Sequence, residues 1–276
     1  MRPPEPALTS HLFPGLLQNL INVLDSLTPE EWELPTPCPG WSVHDLVAHI
    51  LGDEVGQLSM GRDGFQPSLF TASNWDELVE GLNKLNEDWV VAMRRMSPQL
   101  LVDLLKLTGE QVNEYLESLD LHATGPVVSW ASLNPSPMWL HVAREYTERW
   151  HHQQQIREAV GRPLLTTVEW FSPVLATFVH GLPHTYADVN APEGTAIQVT
   201  ISGASGGTWL VALTASGWAL YADEVTEPTA HVTIDEIDAW KLFTKSIDKG
   251  IVEKRIVSVG DRDLGLKMLG TVSIIA

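Results

Sequence analysis

Two adjacent histidines in the segment EYTERWHHQQQIREAVGRP have the clearest potential for chemistry, because a glutamate stands four positions before the second of them. Each residue of an α-helix advances by about 100°, so positions four apart share a face. Glu148 and His152 therefore lie together, and Glu145 and His141 lie on the same stripe. An imidazole and a carboxylate in this arrangement can bind a divalent metal ion or form an ordinary surface ion pair.

The rest of this helix indicates which way each histidine points. The polar stripe adjoins an apolar face, which on the same count contains Trp139, Val142, Ala143, Tyr146, Trp150 and Ile156. His151, Gln154 and Gln155 fall on the opposite arc. We therefore expect His152 to border the buried face, and His151 to point toward solvent.

A second helix, SVHDLVAHILGDEVGQLSM, has a histidine in a similar position. His49 borders its apolar face with Asp53 beside it, so that these two residues could simply be hydrogen-bonded to each other. Glu54 falls inside the apolar arc, where a carboxylate needs a partner, for example a ligand histidine. Two histidines and a carboxylate from facing helices suit catalytic zinc with one open position, and they also suit non-haem iron(II).

The only cysteine, Cys38, lies between prolines in the segment PTPCPGW. A single cysteine excludes a disulfide within the chain, and no sequence neighbour is expected to lower the pKa of this thiol. We therefore predict a packing role for Cys38.

The composition narrows the classes of partner. The net charge is −18, from 35 acidic and 17 basic residues, which disfavours nucleic acid and anionic membrane surfaces. No apolar run approaches the roughly 18 residues of a membrane span, and the first residues lack the pattern of a signal peptide. We predict a soluble, cytoplasmic protein, whose oligomeric state the sequence leaves open.

Apolar residues follow helical spacing up to about residue 185. Capping pairs predict helix starts at Thr28 with Glu31, Ser42 with Asp45, and Ser73 with Asp76. Further helices are predicted to start at Ser97-Pro98, with a break near Thr108-Gly109, and at Ser136-Pro137, with Gly161 ending the latter.

After about residue 194 the spacing changes to the alternation of strands. The segments AIQVTISG, GTWLVALT, GWALYA, AHVTID and RIVSVG predict strands, and DEIDAWKLFTKSI predicts a helix. Helices followed by strands indicate an α+β protein of two domains. We predict a helical domain over residues 1–187 and a small α+β domain over 195–276.

Two segments carry a family resemblance. TPCPGWSVHDLVAHILG and ERWHHQQQIREAVGRP resemble the mycothiol-dependent maleylpyruvate isomerase family, whose members are DinB-like, metal-binding four-helix bundles. The second segment is similar to the family pattern E-x-W-x-H-x-x-D-I-x-x-A-x-G, which begins at Glu148. The C-terminal half, including VSVGDRDLGLKMLGTVSII, resembles the family's sterol-carrier-like second domain.

The resemblance implies a metal site and an activity. Its ligands would be His49, Glu148 and His152, and Gln155 stands where the family usually has an aspartate. The implied cofactors are a divalent metal, zinc first with iron or nickel as alternatives, and mycothiol or another low-molecular-weight thiol. The implied enzyme isomerises or conjugates a small electrophile, as an isomerase or S-transferase. The alternatives are a non-enzymatic metal- or ligand-binding protein and a helical interaction domain without metal.

The remaining candidates are assigned supporting roles. Five residues are expected to hydrogen-bond to a metal-coordinating side chain or to act in catalysis: Asp53, Glu54, His141, Glu145 and Gln155. Residues expected to line the substrate pocket are Trp41, Trp150 and Arg149. Arg149 and Arg255 are the basic residues considered for a substrate carboxylate, and neither can be assigned to it from the sequence.

Overall fold

The computed structural model describes residues 1–274 and shows two compact units. The helical unit comprises Thr9–Asp120 and Glu145–Leu165, and the sheet unit comprises Met1–Leu8, Leu121–Arg144 and Thr166–Ile274. A helical N-terminal region followed by a sheet-containing C-terminal region confirms the predicted α+β class. The predicted division at residues 187–195 does not coincide with these units and stays a prediction. Residues 275 and 276, the end of the predicted second domain, lie outside the described residues.

The helices of the described residues are α1 (Phe13–Leu24), α2 (Pro29–Trp32), α3 (Val43–Gly56), α4 (Trp75–Met93), α5 (Pro98–Glu117), α6 (Met138–Ala159), α7 (Val168–Phe178), α8 (Leu182–Thr185), α9 (Glu236–Phe243), α10 (Lys249–Glu253) and α11 (Arg262–Leu266). Short 3₁₀ turns occur at Ser10–Leu12, Val179–Gly181 and Lys267–Gly270, and a π-helical turn at Gln57–Arg62 extends α3. No helix within residues 1–274 is both long and apolar enough to cross a bilayer.

Local capping signals place several helix starts correctly. Thr28 with Glu31 and Ser42 with Asp45 form the predicted capping boxes, in which each side chain bonds the other residue's backbone N–H. Ser97 caps α5 as predicted.

Two predicted features of the helices are wrong. The N-cap of α4 is Asn74 rather than Ser73, because the Asn74 side chain accepts from the backbone N–H of Glu77. Helix α5 runs without a break through Thr108 and Gly109. Gly109 packs close to Leu17 and Glu54, so its missing side chain gives room for a neighbour rather than ending the helix.

Helix α3 lies at the centre of the helical unit. It packs on both α4 and α5, while α1 packs on α5. Every residue of α3 from Val43 to Leu51 is buried. Residues of α1, α3, α5 and α6 share one apolar core, whose members include Leu20, Leu46, Ile50, Leu101, Leu105 and Ile156. Polar residues on α3 are therefore held in fixed positions by packing on several sides.

The sheet unit contains the predicted strands. They are β3 (Ala196–Ser202), β4 (Gly207–Thr214), β5 (Gly217–Tyr221), β6 (Ala230–Asp235) and β7 (Val257–Gly260), after an unpredicted hairpin of β1 (Thr124–Val127) and β2 (Pro135–Pro137). The five-stranded order is β5-β4-β3-β6-β7, antiparallel except for the β3–β6 pair. Phe171 and Phe178 of α7 contact Trp240 and Phe243 of α9 edge to face.

Candidate metal centre

His49 and His152 meet inside the helical unit, one from α3 and one from α6. Their Nε2 atoms are 3.2 Å apart, and the rings are nearly perpendicular, with centroids 4.7 Å apart. Nitrogen ligands about 2.0 Å from a tetrahedral metal lie about 3.3 Å from each other. The two imidazole nitrogens are therefore spaced as two ligands of one metal ion.

Two carboxylates lie beside this histidine pair. Asp53 Oδ2 is 3.5 Å from His49 Nε2, and Glu148 Oε2 is 3.8 Å from His152 Nε2. Ligand atoms of His49, Asp53 and His152 all lie within 4.8 Å of one another. Asp53, which the sequence suggested only as a supporting residue, thus lies close to both histidines, whereas Glu148 is measured against His152 alone.

A hydrogen bond to Gln155 indicates which nitrogen of His152 carries the proton. Gln155 Oε1 lies 2.8 Å from His152 Nδ1. An amide oxygen only accepts hydrogen bonds, so Nδ1–H is the donor and the neutral ring has its lone pair on Nε2. That lone pair is on the nitrogen that faces His49. The ring is thus prepared to bind a metal through Nε2.

The two histidines have different proton affinities. For His152, burial disfavours the charged ring, but a hydrogen bond with Cys38 and the charges of Glu148 and Asp53 outweigh it and raise the pKa to about 9. For His49, burial and the charge of His152 lower the pKa, against the charge of Asp53. Protons therefore compete with a metal mainly at His152.

Cys38 and His151 lie next to this site, and the position of His151 corrects a prediction. Cys38 packs against the apolar core as predicted, and its Sγ also donates to Gln155 Oε1 over 3.1 Å. His151, predicted to face solvent, is only 4% exposed, and its Nε2 lies 3.1 Å from Gln155 Nε2.

The predicted solvent arc of α6 is wrong because other segments cover it. Gln154 is fully buried, and its Oε1 accepts from the backbone N–H of Leu165, in the segment that follows α6. Gln153 donates to the backbone oxygen of Leu16 in α1. Polar side chains that find such partners are accommodated in an interior.

The two candidate tryptophans have different surroundings. The Trp41 ring lies 5.0 Å from the His49 ring, and its Nε1 donates to Glu87. Trp41 thus covers one side of His49. Trp150 is fully buried, and its Nε1 donates to the backbone oxygen of Leu165, so it is part of the core of the helical unit.

Glu54 and Arg149 form a buried ionic group close to the histidines. Glu54 is 1% exposed and accepts a 2.5 Å hydrogen bond from Thr108 Oγ1. Arg149 Nε is 3.9 Å from Glu54 and its Nη1 is 3.8 Å from Glu145, while its guanidinium lies over Phe13. Burial raises the pKa of Glu54 to about 7, against the charge of Arg149 and the Thr108 bond. The expected partner of Glu54 exists, but it is not a ligand histidine.

Two other candidates belong to the sheet unit. His141 lies in the part of α6 that this unit contains, and burial followed by the charge of Arg144 lowers its pKa to about 4. Arg255 Nη1 donates to Asp238 Oδ1 over 2.7 Å within the same unit.

Comparisons with known proteins give a consistent assignment. A search of curated proteins finds no significant match. Two solved structures share the fold at 11% identity with a TM-score of 0.52: the mycothiol-dependent maleylpyruvate isomerase, over 84% of this chain and 86% of that one, and a histidine-to-alanine mutant, over 86% and 88%. The sequence profile of the mycothiol maleylpyruvate isomerase N-terminal domain matches residues 14–157, more than half of the chain. That span contains both histidines and both carboxylates of the site, and the chain belongs to the mycothiol maleylpyruvate isomerase N-terminal domain family.

Proposed function

We propose that this protein is a metal-dependent enzyme that uses a low-molecular-weight thiol of the mycothiol type to isomerise or conjugate a small electrophile. The observation that carries the proposal is the convergence of His49 and His152 Nε2 atoms from two helices, with carboxylates beside both. The family membership supports the choice of thiol and of reaction class.

The residues present fit a divalent metal. His49, Glu148 and His152 are the proposed ligands, a set of two imidazoles and one carboxylate that suits zinc with an open position. Iron or nickel would accept the same donors. The buried Gln155 bond on the far nitrogen of His152 is the support that ligand histidines usually have.

The chemistry divides between the metal and the chain. A bound divalent metal would lower the pKa of a coordinated thiol and hold it as thiolate at neutral pH. The half-exposed Asp53 carboxylate, 3.5 Å from His49 Nε2, would take the thiol proton, and Trp41 would keep water from one side of His49. Thiolate addition to a double bond, rotation about the new single bond and loss of the thiolate would isomerise an unsaturated substrate. An electrophile with a leaving group or strained ring would give a conjugate.

The first test is the metal content of purified protein by mass spectrometry. We expect about one divalent ion per chain in the wild type and near none in His152→Ala. His231→Ala is the matched control, since His231 bonds Thr200 within the sheet unit, and it should keep its metal. Equal metal in wild type and His152→Ala would contradict the proposed ligands.

The second test follows the loss of free thiol when the protein is incubated with mycothiol and maleylpyruvate or an alkylating electrophile. Turnover should need the metal and should vanish in folded His152→Ala. Bound metal without any thiol-dependent turnover would instead support a metal-binding protein that is not an enzyme. The uncharged Gln155 at the family's aspartate position is the feature that favours this second function.

A third test determines which of the two carboxylates is the metal ligand. Glu148→Gln and Asp53→Asn each remove one charge of similar distance from the histidine pair. If Glu148 is the ligand, its variant should lose most metal affinity, while Asp53→Asn should mainly slow turnover. The reverse ranking would assign the ligand role to Asp53.

A further inference from the structure

We infer that Gln155, clamped between Cys38 and His151, selects the tautomer of His152 and does so without adding negative charge to the metal centre. The inference deepens the proposed function at the same site, and its importance for metal binding rests on that function. The inference rests on the contacts of the buried Gln155 amide, which lies within hydrogen-bonding distance of Cys38, His151 and His152.

The two ends of the Gln155 amide have opposite consequences for His152. With Oε1 toward Nδ1, as the structure has it, the ring proton stays on Nδ1 and Nε2 keeps its lone pair. With the amide reversed, an N–H would face Nδ1, which would then have to accept. The neutral ring would carry its proton on Nε2, where a metal could not bind. The orientation of one amide therefore decides whether His152 is a competent ligand.

The Cys38 thiol favours the competent orientation, and His151 is compatible with it. The Cys38 thiol offers a hydrogen to Oε1, and His151 Nε2 is positioned to accept from the amide N–H. Reversal would instead turn an amide N–H toward Cys38 Sγ, which is only a weak acceptor, and would weaken the bonding of the buried Gln155 side chain. Cys38 thus acts on His152 from a loop 117 positions away in sequence from Gln155.

The amide also leaves the charge of the site unchanged. Glu148 and Asp53 already place two carboxylates beside the histidine pair. A further carboxylate at position 155 would strengthen the donor character of His152 and would repel an incoming anion. An amide in the competent orientation also keeps the proton on Nδ1, and it leaves the centre more favourable to a thiolate.

Nitrogen-15 NMR of the metal-free protein tests the tautomer without any metal. The neutral ring is observed above the pKa of His152, and Cys38→Ser is measured in parallel because a hydroxyl keeps its hydrogen at a pH where a thiol would lose it. We expect the proton on Nδ1 in the wild type and a mixture of tautomers in Gln155→Met. Gln154→Met is the matched control, because Gln154 is an adjacent buried glutamine that hydrogen-bonds to the backbone of Trp150 and Leu165. A wild-type proton on Nε2, or no change in Gln155→Met, would overturn the inference.

Metal affinity, measured against a competing chelator, tests the consequence. Loss of a residue that orients a ligand typically weakens metal binding 10–100-fold, roughly the effect expected for Gln155→Met. Gln154→Met should bind metal as the wild type does even if it is less stable. Cys38→Ser keeps a donor and should keep affinity, whereas Cys38→Val should lose part of it. Unchanged metal affinity in both Gln155→Met and Cys38→Val would refute the role of these two residues in orienting His152.

The Gln155→Glu variant tests the effect of a negative charge at position 155. If it binds metal, it must be folded, so a change in its thiol affinity cannot be due to misfolding. It keeps an acceptor oxygen, so we expect metal binding at least as tight as in the wild type and weaker binding of mercaptoethanol to the loaded protein. Equal thiol affinity would refute the charge argument. Failure of the wild type to bind any metal would refute the proposed function, while the tautomer measurement would still decide the role of Gln155.

Discussion

The interior of the helical unit contains many ionisable and amide side chains, whereas aromatic and aliphatic side chains dominate the interior of the sheet unit. The buried polar residues of the helical unit include His49, Glu54, Glu145, His151, Gln153, Gln154, Gln155 and Arg157. The largest fully buried side chains of the sheet unit are Phe171, Phe178, Tyr186, Trp240 and Phe243. Both units are compact, so the difference lies in what each interior is made of.

This contrast indicates that the helical unit accepts a lower free energy of unfolding in order to hold reactive side chains in its interior. Burying a charge costs folding free energy unless it is paired and hydrogen-bonded. In the helical unit the buried charges and amides either surround the histidine pair or bond to backbone atoms, as Arg157 does to the oxygens of Asn19 and Pro163. Groups held in such environments are typical of functional sites.

The largest fall in the free energy of unfolding is expected from Arg149→Met at a pH above 7. The side chain of Arg149 is 11% exposed, and its loss leaves the carboxylates of Glu54 and Glu145 buried without their cation. The free energy of unfolding should fall by about 3–5 kcal/mol. Arg255→Met in the sheet unit is the control: that side chain is 56% exposed in its pair with Asp238, so it should cost at most about 1 kcal/mol. Urea unfolding of both variants measures the difference. Equal losses of unfolding free energy would contradict the contrast between the two interiors.

Glu54 should make the protein less stable as the pH rises. Its pKa is about 7 in the folded protein, against 4.5 for the ordinary group, so the folded state holds this proton more tightly than the unfolded chain. The free energy of unfolding should therefore fall between about pH 4.5 and pH 7, by about 3 kcal/mol. Glu54→Gln should remove this slope in urea unfolding measured across the range. An unchanged slope would show that another group causes it.

His180 in the sheet unit should give the opposite slope. Burial lowers its pKa from 6.5 to about 4, and its ring lies against Trp139. Since the folded state binds this proton less tightly than the unfolded chain, the free energy of unfolding should fall as the pH drops from about 6.5 to about 4. The loss should be on the order of 3 kcal/mol. His180→Phe keeps a ring against Trp139 and should flatten the acid side, which urea unfolding at several pH values would show. NMR titration giving an ordinary pKa for His180 would contradict this account.

The smallest effect should be the same in both units. Ser42 caps α3, and Asp235 caps α9, each by accepting from a backbone N–H of the first turn. Ser42→Ala and Asp235→Ala should each lower the free energy of unfolding by about 1 kcal/mol. Thermal unfolding measures both, and clearly unequal losses would mean that the units differ at their helix ends as well as in their interiors.

The local parts of this structure were predictable. The capping boxes at Thr28 and Ser42 were predicted correctly, because the bonds in each span three residues and depend on few other contacts. The alternation that predicted β3 to β6 has a similarly local cause. The cap of α4 was displaced by one residue, since Ser73 and Asn74 are both suitable N-caps and the sequence alone does not choose between them.

The orientation of residues around α6 was not predictable from spacing. A count of 100° per residue gives the direction of a side chain but not what lies in that direction. The segment reaching Leu165 and the loop holding Cys38 cover the side that was expected to face solvent. His151 and Gln155 are buried as a result, and the bonding of Gln155 to His152 emerges only from that packing.

By itself the sequence determined the pairs that local geometry makes, namely Glu148 with His152 and His49 with Asp53, since positions four apart on a helix always lie close together. The tertiary structure alone decided that these two pairs face each other. His49 and His152 are 103 positions apart, and only the packing of α3 and α6 in one core brings their Nε2 atoms to 3.2 Å. Contacts at that separation depend on the apolar core as a whole, which no single segment of the sequence describes.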